Sequence, residues 1–140
     1  MEELLKLRDH VKSGNYTDAL LLIDELEEMS LSDKINKICS FSIIILVHLI
    51  KQQAEKKTTR SWEASIDFSV FQIKRTNKRY KAKGFYANKE VISNILEDAF
   101  PIAVKEAALE VFEGKYLENE LEDLIDKNQI IQKALTLITN

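Results

Sequence analysis

Apolar residues recur at helical spacing along nearly the whole chain. Leu4, Leu5, Leu7 and Val11 predict a short first helix that Ser13, Gly14 and Asn15 bring to an end. Thr17 or Asp18 then caps a second helix with the apolar row Ala19, Leu22, Ile23 and Leu26, and so tight a link predicts an antiparallel hairpin. Ser30 and Asp33 have capping-box-like spacing, which predicts a fresh start and a third helix over about residues 32–55. Ile35, Ile38, Cys39, Ser42, Ile45, Leu46 and Leu49 make one face of it, while Ile43, Ile44, Val47 and Ile50 cover the others. A helix that is apolar on every side is surrounded by other helices, so this segment is expected at the centre.

After the polar break at residues 56–61, Trp62, Ile66, Val70, Ile73 and Tyr80 predict a fourth helix, flanked by Phe68 and Phe71 and stopped by Gly84. Asn88 caps a fifth carrying Val91, Ile92, Ile95, Leu96 and Ala99. Pro101 either kinks the chain or occupies the first turn of a sixth helix over 102–112, which Gly114 stops. Leu117, Leu121, Leu124 and Ile125, then Ile130, Ile131, Ala134, Leu135 and Ile138, predict one or two closing helices. The expected fold is all-α: a single domain over 1–140, built as one compact bundle of five to seven helices around the apolar helix at 32–55.

Composition supports that reading. Three glycines and one proline in 140 residues are too few for the frequent turns a sheet protein needs. With 45% hydrophobic and 31% charged residues, the chain is expected to be a folded, soluble protein. The longest mainly apolar run, 38–50, falls short of the roughly 18–20 residues that span a bilayer. The first residues alternate leucine with charge and do not resemble a signal peptide, so a cytoplasmic protein with no membrane partner is expected. The lone cysteine, Cys39, lies in the apolar run and is expected to pack as a small, inert hydrophobe.

Charge is unevenly distributed. Residues 51–83 hold ten basic side chains (Lys51, Lys56, Lys57, Arg60, Lys74, Arg75, Lys78, Arg79, Lys81, Lys83) and three acidic ones (Glu55, Glu63, Asp67), a net +7. The remainder therefore carries −10 to reach the total of −3. Lys74, Arg75, Lys78, Arg79 and Lys81 make a candidate anion or nucleic-acid face on the fourth helix. The same charges also suit a solvated helix end, where cations favour the negative end of the dipole.

Chemistry-bearing constellations are sparse. The two histidines, His10 and His48, lack the Glu-x-x-His or His-x-x-x-His spacing of helical metal sites, so no metal site is expected. Three isolated glycines cannot build a phosphate loop, a dinucleotide fingerprint or a nucleophile elbow, and no cofactor is expected. No catalytic residue stands out. His48 lies where the apolar helix turns polar, and suits either a boundary histidine with a packed ring or a working group.

Four segments in order carry a family resemblance: LLLIDELEEMS at 20–30, ILVHLIK at 45–51, RSWEASI at 60–66 and ILEDAFPIAVKEAALE at 95–110. Together they resemble the domain-of-unknown-function 29 family, whose pattern pairs an acidic helix with a His-Leu-Leu-Lys-Trp helix and an Arg-Ser-Trp helix start. The resemblance covers most of the chain. It implies an all-helical domain of a group widespread in cyanobacteria and other bacteria, with no established activity. By position its signature falls on Ile23, Glu25, Leu26 and Glu27, on His48, Leu49 and Lys51, and on Arg60, Ser61 and Trp62. The chain departs from the pattern at Gln52, where the family commonly has tryptophan, and at Asp24, where it has glutamate.

The signature mixes core residues with polar ones where a bundle needs only volume. A candidate pocket follows, formed by His48, Lys51, Arg60, Ser61 and Trp62 with Glu25 or Glu27. The leading functional expectation is a non-enzymatic protein-interaction or structural module that packs against itself or a protein partner. Alternatives are nucleic-acid binding through the basic face, and a small-molecule or enzyme pocket at His48, Arg60 and Trp62.

Overall fold

The computed structural model describes residues 2–79 and 83–140. Among the described residues six α-helices follow one another: α1 (Glu2–Lys12), α2 (Tyr16–Glu55), α3 (Arg60–Asn77), α4 (Lys89–Glu110), α5 (Glu118–Glu122) and α6 (Lys127–Thr139), with a 3₁₀ turn at Val111–Gly114. The fold is all-α, and no helix among the described residues is long and apolar enough to cross a membrane. The chain divides into two compact units, Met1–Lys34 and Ile35–Asn140.

In the first unit, α1 ends in a Schellman motif. The Asn15 N–H donates to the His10 carbonyl and the Gly14 N–H to the Val11 carbonyl, with Gly14 in the left-handed conformation at φ 76°. The expected hairpin seam is thin: α1 buries none of its residues, and among the described residues of this unit Ala19 alone is buried. The expected restart at Ser30–Asp33 is overturned, because α2 is continuous through it. No glycine or proline interrupts 16–55, and a serine inside a helix costs only about 0.5 kcal/mol, less than breaking the hydrogen-bond ladder.

The second unit holds the core. Ile38, Ile45, Leu46, Val47, Leu49 and Ile50 of α2 are buried with Ile66 and Ile73 of α3, the inner face of α4, Leu121 of α5 and Ile130, Ile131 and Ile138 of α6. The most extensive helix–helix approach is that of α4 with α6, and α6 also packs against α3. Buried alanines permit that proximity: Ala99, Ala103 and Ala107 recur at four-residue steps on α4, and Ala134 is buried on α6. Pro101 does not end α4, which runs unbroken from 89 to 110. Its ring lies on the exposed side, so the Glu97 carbonyl that loses its amide partner can turn to water. Gln53 ties α2 to the start of α6, accepting from the Asp126 N–H at 2.5 Å and donating to Gln129 at 2.7 Å.

The fourth expected helix also ends early, at Asn77 rather than near Gly84. Buried Asn77 donates to the Ala87 carbonyl (2.9 Å) while its side-chain oxygen accepts from the Ala87 N–H (2.7 Å). That reciprocal pair brings Ala87 back against the end of α3, with a bridge between Lys78 and Phe85. Tyr80 and Lys81, placed on the helix by sequence, lie outside the described residues.

Non-glycine left-handed backbone occurs at Lys56 (φ 53°), Phe112 (φ 48°) and Glu113 (φ 60°) among the described residues. Lys56 occupies the position after α2 that glycine usually fills, at a cost of about 1 kcal/mol. Lys56→Gly is therefore expected to raise the unfolding free energy by about 0.5–1 kcal/mol in urea denaturation. An unchanged or lower midpoint would show that the lysine side chain contributes more than the backbone strain removes.

Candidate functional site

The side chains that combine charge, burial and aromaticity meet at the C-terminal end of α2, wholly within the second unit. Thr59 caps α3, its hydroxyl accepting from the Trp62 N–H at 3.1 Å, and this fixes Trp62 in the first turn. The indole faces α2. The His48 ring lies 6.5 Å from it, centroid to centroid, tilted by 35°. Lys51 Nζ stands 4.7 Å above the indole centroid and Lys57 Nζ 5.7 Å, so two ammonium groups share one aromatic platform.

Lys51 is the unusual member. Its side chain is only 9% exposed, and its Nζ donates to Glu110 Oε1 at 3.5 Å. Glu110 ends α4 and is 58% exposed, so the pair joins a dry cation to a wet carboxylate. Such a pair contributes little on its own, and the indole face supplies the rest of the compensation.

His48 Nδ1 is buried and has no hydrogen-bond partner among the described residues. Burial, then the Lys51 ammonium, hold the imidazole below its ordinary value of 6.5, and Glu110 pulls weakly the other way. The ring is thus a neutral, packed group at neutral pH. Burial also pushes the Cys39 thiol up, with Asp98 adding to it, which disfavours the reactive thiolate.

His48, Lys51 and Trp62 of the sequence-derived pocket come together. Arg60 and Ser61 do not join them: both are exposed and share a shallow surface with Glu63, Ala64 and Asp67. Glu25 and Glu27 are exposed residues of the first unit. Gln52 donates to the Thr58 hydroxyl at 2.8 Å and so ties the end of α2 to the following loop. Glu110 and Lys57 were not singled out from the sequence. Glu110 lies 59 residues from Lys51 in the chain, and only the return of α4 joins them.

The basic face is divided. Because α3 ends at Asn77, Lys78 and Arg79 lie beyond the helix instead of extending a helical stripe. Arg79 stacks over Tyr86, with its guanidinium carbon 5.5 Å from the ring centroid. Lys74 and Lys78 line a cleft with Lys89 that does not include Arg75, and Lys81 lies outside the described residues. Among the described residues no group of three or more His, Cys, Asp or Glu side chains is placed to hold a metal ion.

Fold and site together define a small all-helical domain whose helices α2, α3 and α4 meet at a seam of lysine and aromatic side chains. Residues 3–130 match the family described as Domain of unknown function DUF29, and the chain belongs to that family. Neither the curated proteins nor the solved structures give a match.

Two outcomes are expected at the seam. Lys51→Met keeps the stem and removes the buried charge, so stability should stay level or rise by about 1–2 kcal/mol. Trp62→Leu strips the platform and leaves the charge, and should cost about 2–3 kcal/mol. Urea denaturation compares them, and a Lys51→Met loss as large as that of Trp62→Leu would contradict this account of the seam.

The second outcome concerns pH. The unfolded chain binds its His48 proton near 6.5 and the folded protein only at lower pH, so stability falls as pH drops below that value. Above it both states are neutral and the term vanishes. Wild type should lose stability relative to His48→Gln only below about pH 6.5, read as the difference in urea midpoints. Parallel curves would show that the ring titrates alike in both states.

Proposed function

We propose that the domain is a non-enzymatic protein-interaction module whose N-terminal helical unit packs against a second copy of the chain. The supporting observation is the apolar surface that this unit leaves uncovered. Leu4, Leu5, Val11, Tyr16, Leu20, Leu21, Met29 and Leu31 are all exposed, and Leu4, Leu7 and Val11 line an open groove rimmed by Arg8 and Lys12. Scattered single apolar residues on a surface are ordinary, but clustered ones mark contact sites.

Charge favours a second copy as the occupant. Residues 1–34 hold nine acidic and four basic side chains, a net −5, against +7 over residues 51–83. Copies of one chain therefore attract each other through segments of opposite net charge, which speeds encounter even though the cations are spread over more than one surface. The exposed Phe68 and Phe71 of α3 lie within that basic segment and offer it apolar area.

Sedimentation equilibrium at micromolar protein should show a dimer or larger species. The double substitution Leu20→Glu with Leu21→Glu, on an exposed part of α2, should leave helix content unchanged and shift the protein to monomer. A strict monomer before any substitution would overturn the reading.

A further inference from the structure

The structure also holds, within its second unit, a cleft that the interaction reading does not use. It lies where the end of α3, the bridged residues Lys78 and Phe85, the start of α4 and the end of α6 meet, and has a volume of about 460 Å³. That is within the usual range of small-molecule sites, roughly 300–1,000 Å³. Its wall carries Lys74, Lys78, Lys89 and Asn88 beside the apolar surfaces of Phe85 and Ile138, and among the described residues no acidic side chain lines it.

Two of the three lysines have ordinary structural roles. Lys74 Nζ donates to the Asn140 carbonyl at 2.5 Å, and Lys78 is the residue that follows the last turn of α3, so both face the partial negative charge of helix ends. Lys89 is different. It is the first residue of α4, where the dipole is already positive and an acidic side chain is the favoured one. It forms no ion pair among the described residues. A cation in that place weakens the helix and raises the positive potential of the cleft.

Phe85 supplies a second unusual feature. Its side chain is 65% exposed at the cleft wall, yet its backbone is held by the bridge to Lys78 and by the neighbouring bonds from Arg79 to Gly84 and from Tyr86 to Asn77. An exposed aromatic ring on a fixed backbone is a stacking surface.

We propose that this cleft binds a nucleoside phosphate, with the base stacked on Phe85 and the phosphate held by Lys89 and Lys74. The division of the described basic side chains between the cleft, the exposed side of α3 and the face of Tyr86 suits one compact ligand better than a long polyanion, which needs a continuous track.

Isothermal titration of the full chain at low salt tests this with ADP, inorganic pyrophosphate and a single-stranded oligonucleotide as probes. ADP should bind, and more tightly than pyrophosphate. Lys89→Glu should weaken ADP about tenfold or more while leaving the thermal midpoint unchanged or higher, since the substitution suits the start of α4. A purely structural lysine would leave binding untouched. Phe85→Ala should weaken ADP by about tenfold and leave pyrophosphate unchanged. The proposal is overturned if ADP does not bind, if Lys89→Glu has no effect on it, if pyrophosphate binds as well as ADP, or if the oligonucleotide binds far more tightly.

Discussion

A helix segment without a polar side has to be covered all the way round, and that constraint shapes the second unit. Ile45, Leu46, Val47, Leu49 and Ile50 are consecutive but for His48, and all five are buried. One neighbouring helix can shield only a stripe of such a surface. Their burial therefore needs α3, α4 and α6 together, held by short connections. The cover is most extensive where α4 meets α6, because small alanine faces let those two helices approach. Residue size on α4 thus decides how tightly the unit can close over an α2 segment whose side chains are all large.

Lys51 is the consequence of carrying that burial to the end of α2. Ile50 before it and Ala54 after it are buried, so its stem goes under with them and only the ammonium group needs a partner. An indole face suits the position, because it attracts a cation without bringing a second charge that must itself lose water. The Thr59 cap matters for this reason, since it sets the turn that presents Trp62. His48 occupies the third side of the seam. There a protonated imidazole would face the Lys51 charge, and burial and repulsion act in the same direction to keep it neutral. Left-handed backbone stands at both margins of this seam, at Lys56 beside Lys57 and at Phe112 and Glu113 just after Glu110. The chain accepts strain in order to reverse direction while those side chains stay in place.

Much of this was legible in the sequence, for reasons that differ by residue. All-α class and the buried run at 45–50 follow from periodicity and from the shortage of glycine and proline. The meeting of His48 with Trp62 needed only one short loop between them. Arg60 misled, because residues two apart on a helix do not face the same way, so an indole turned toward α2 leaves Arg60 in solvent. Glu110 was hidden by chain distance, since nothing in the local pattern ties the last carboxylate of α4 to Lys51. Capping signals misled at Ser30 and at Gly84. A capping pattern counts only where the chain has another reason to leave the helix, and at residue 30 there was none. At residue 77 the reason was a side chain: Asn77 exchanges two hydrogen bonds with Ala87, ten residues further on, which a reading of local pattern cannot see.

The early end of α3 also determines what the basic residues can do. Had the helix continued to Gly84, the cations from 74 to 81 would have formed one stripe, the geometry of a surface that follows a polyanion. The Asn77–Ala87 exchange instead divides the described ones, Lys74, Arg75, Lys78 and Arg79, among a cleft, an exposed helix side and an arginine stacked on Tyr86. Lys51 and Lys57 are separated again, turned onto Trp62. A net charge of +7 in one stretch of sequence is therefore not one electrostatic surface. Some of its members neutralise helix ends or sit on aromatic faces, and those have their own compensation. Lys89, outside that stretch, is placed against its own helix dipole at the start of α4, as Arg60 is at the start of α3, and of the two it is Lys89 that lines the cleft.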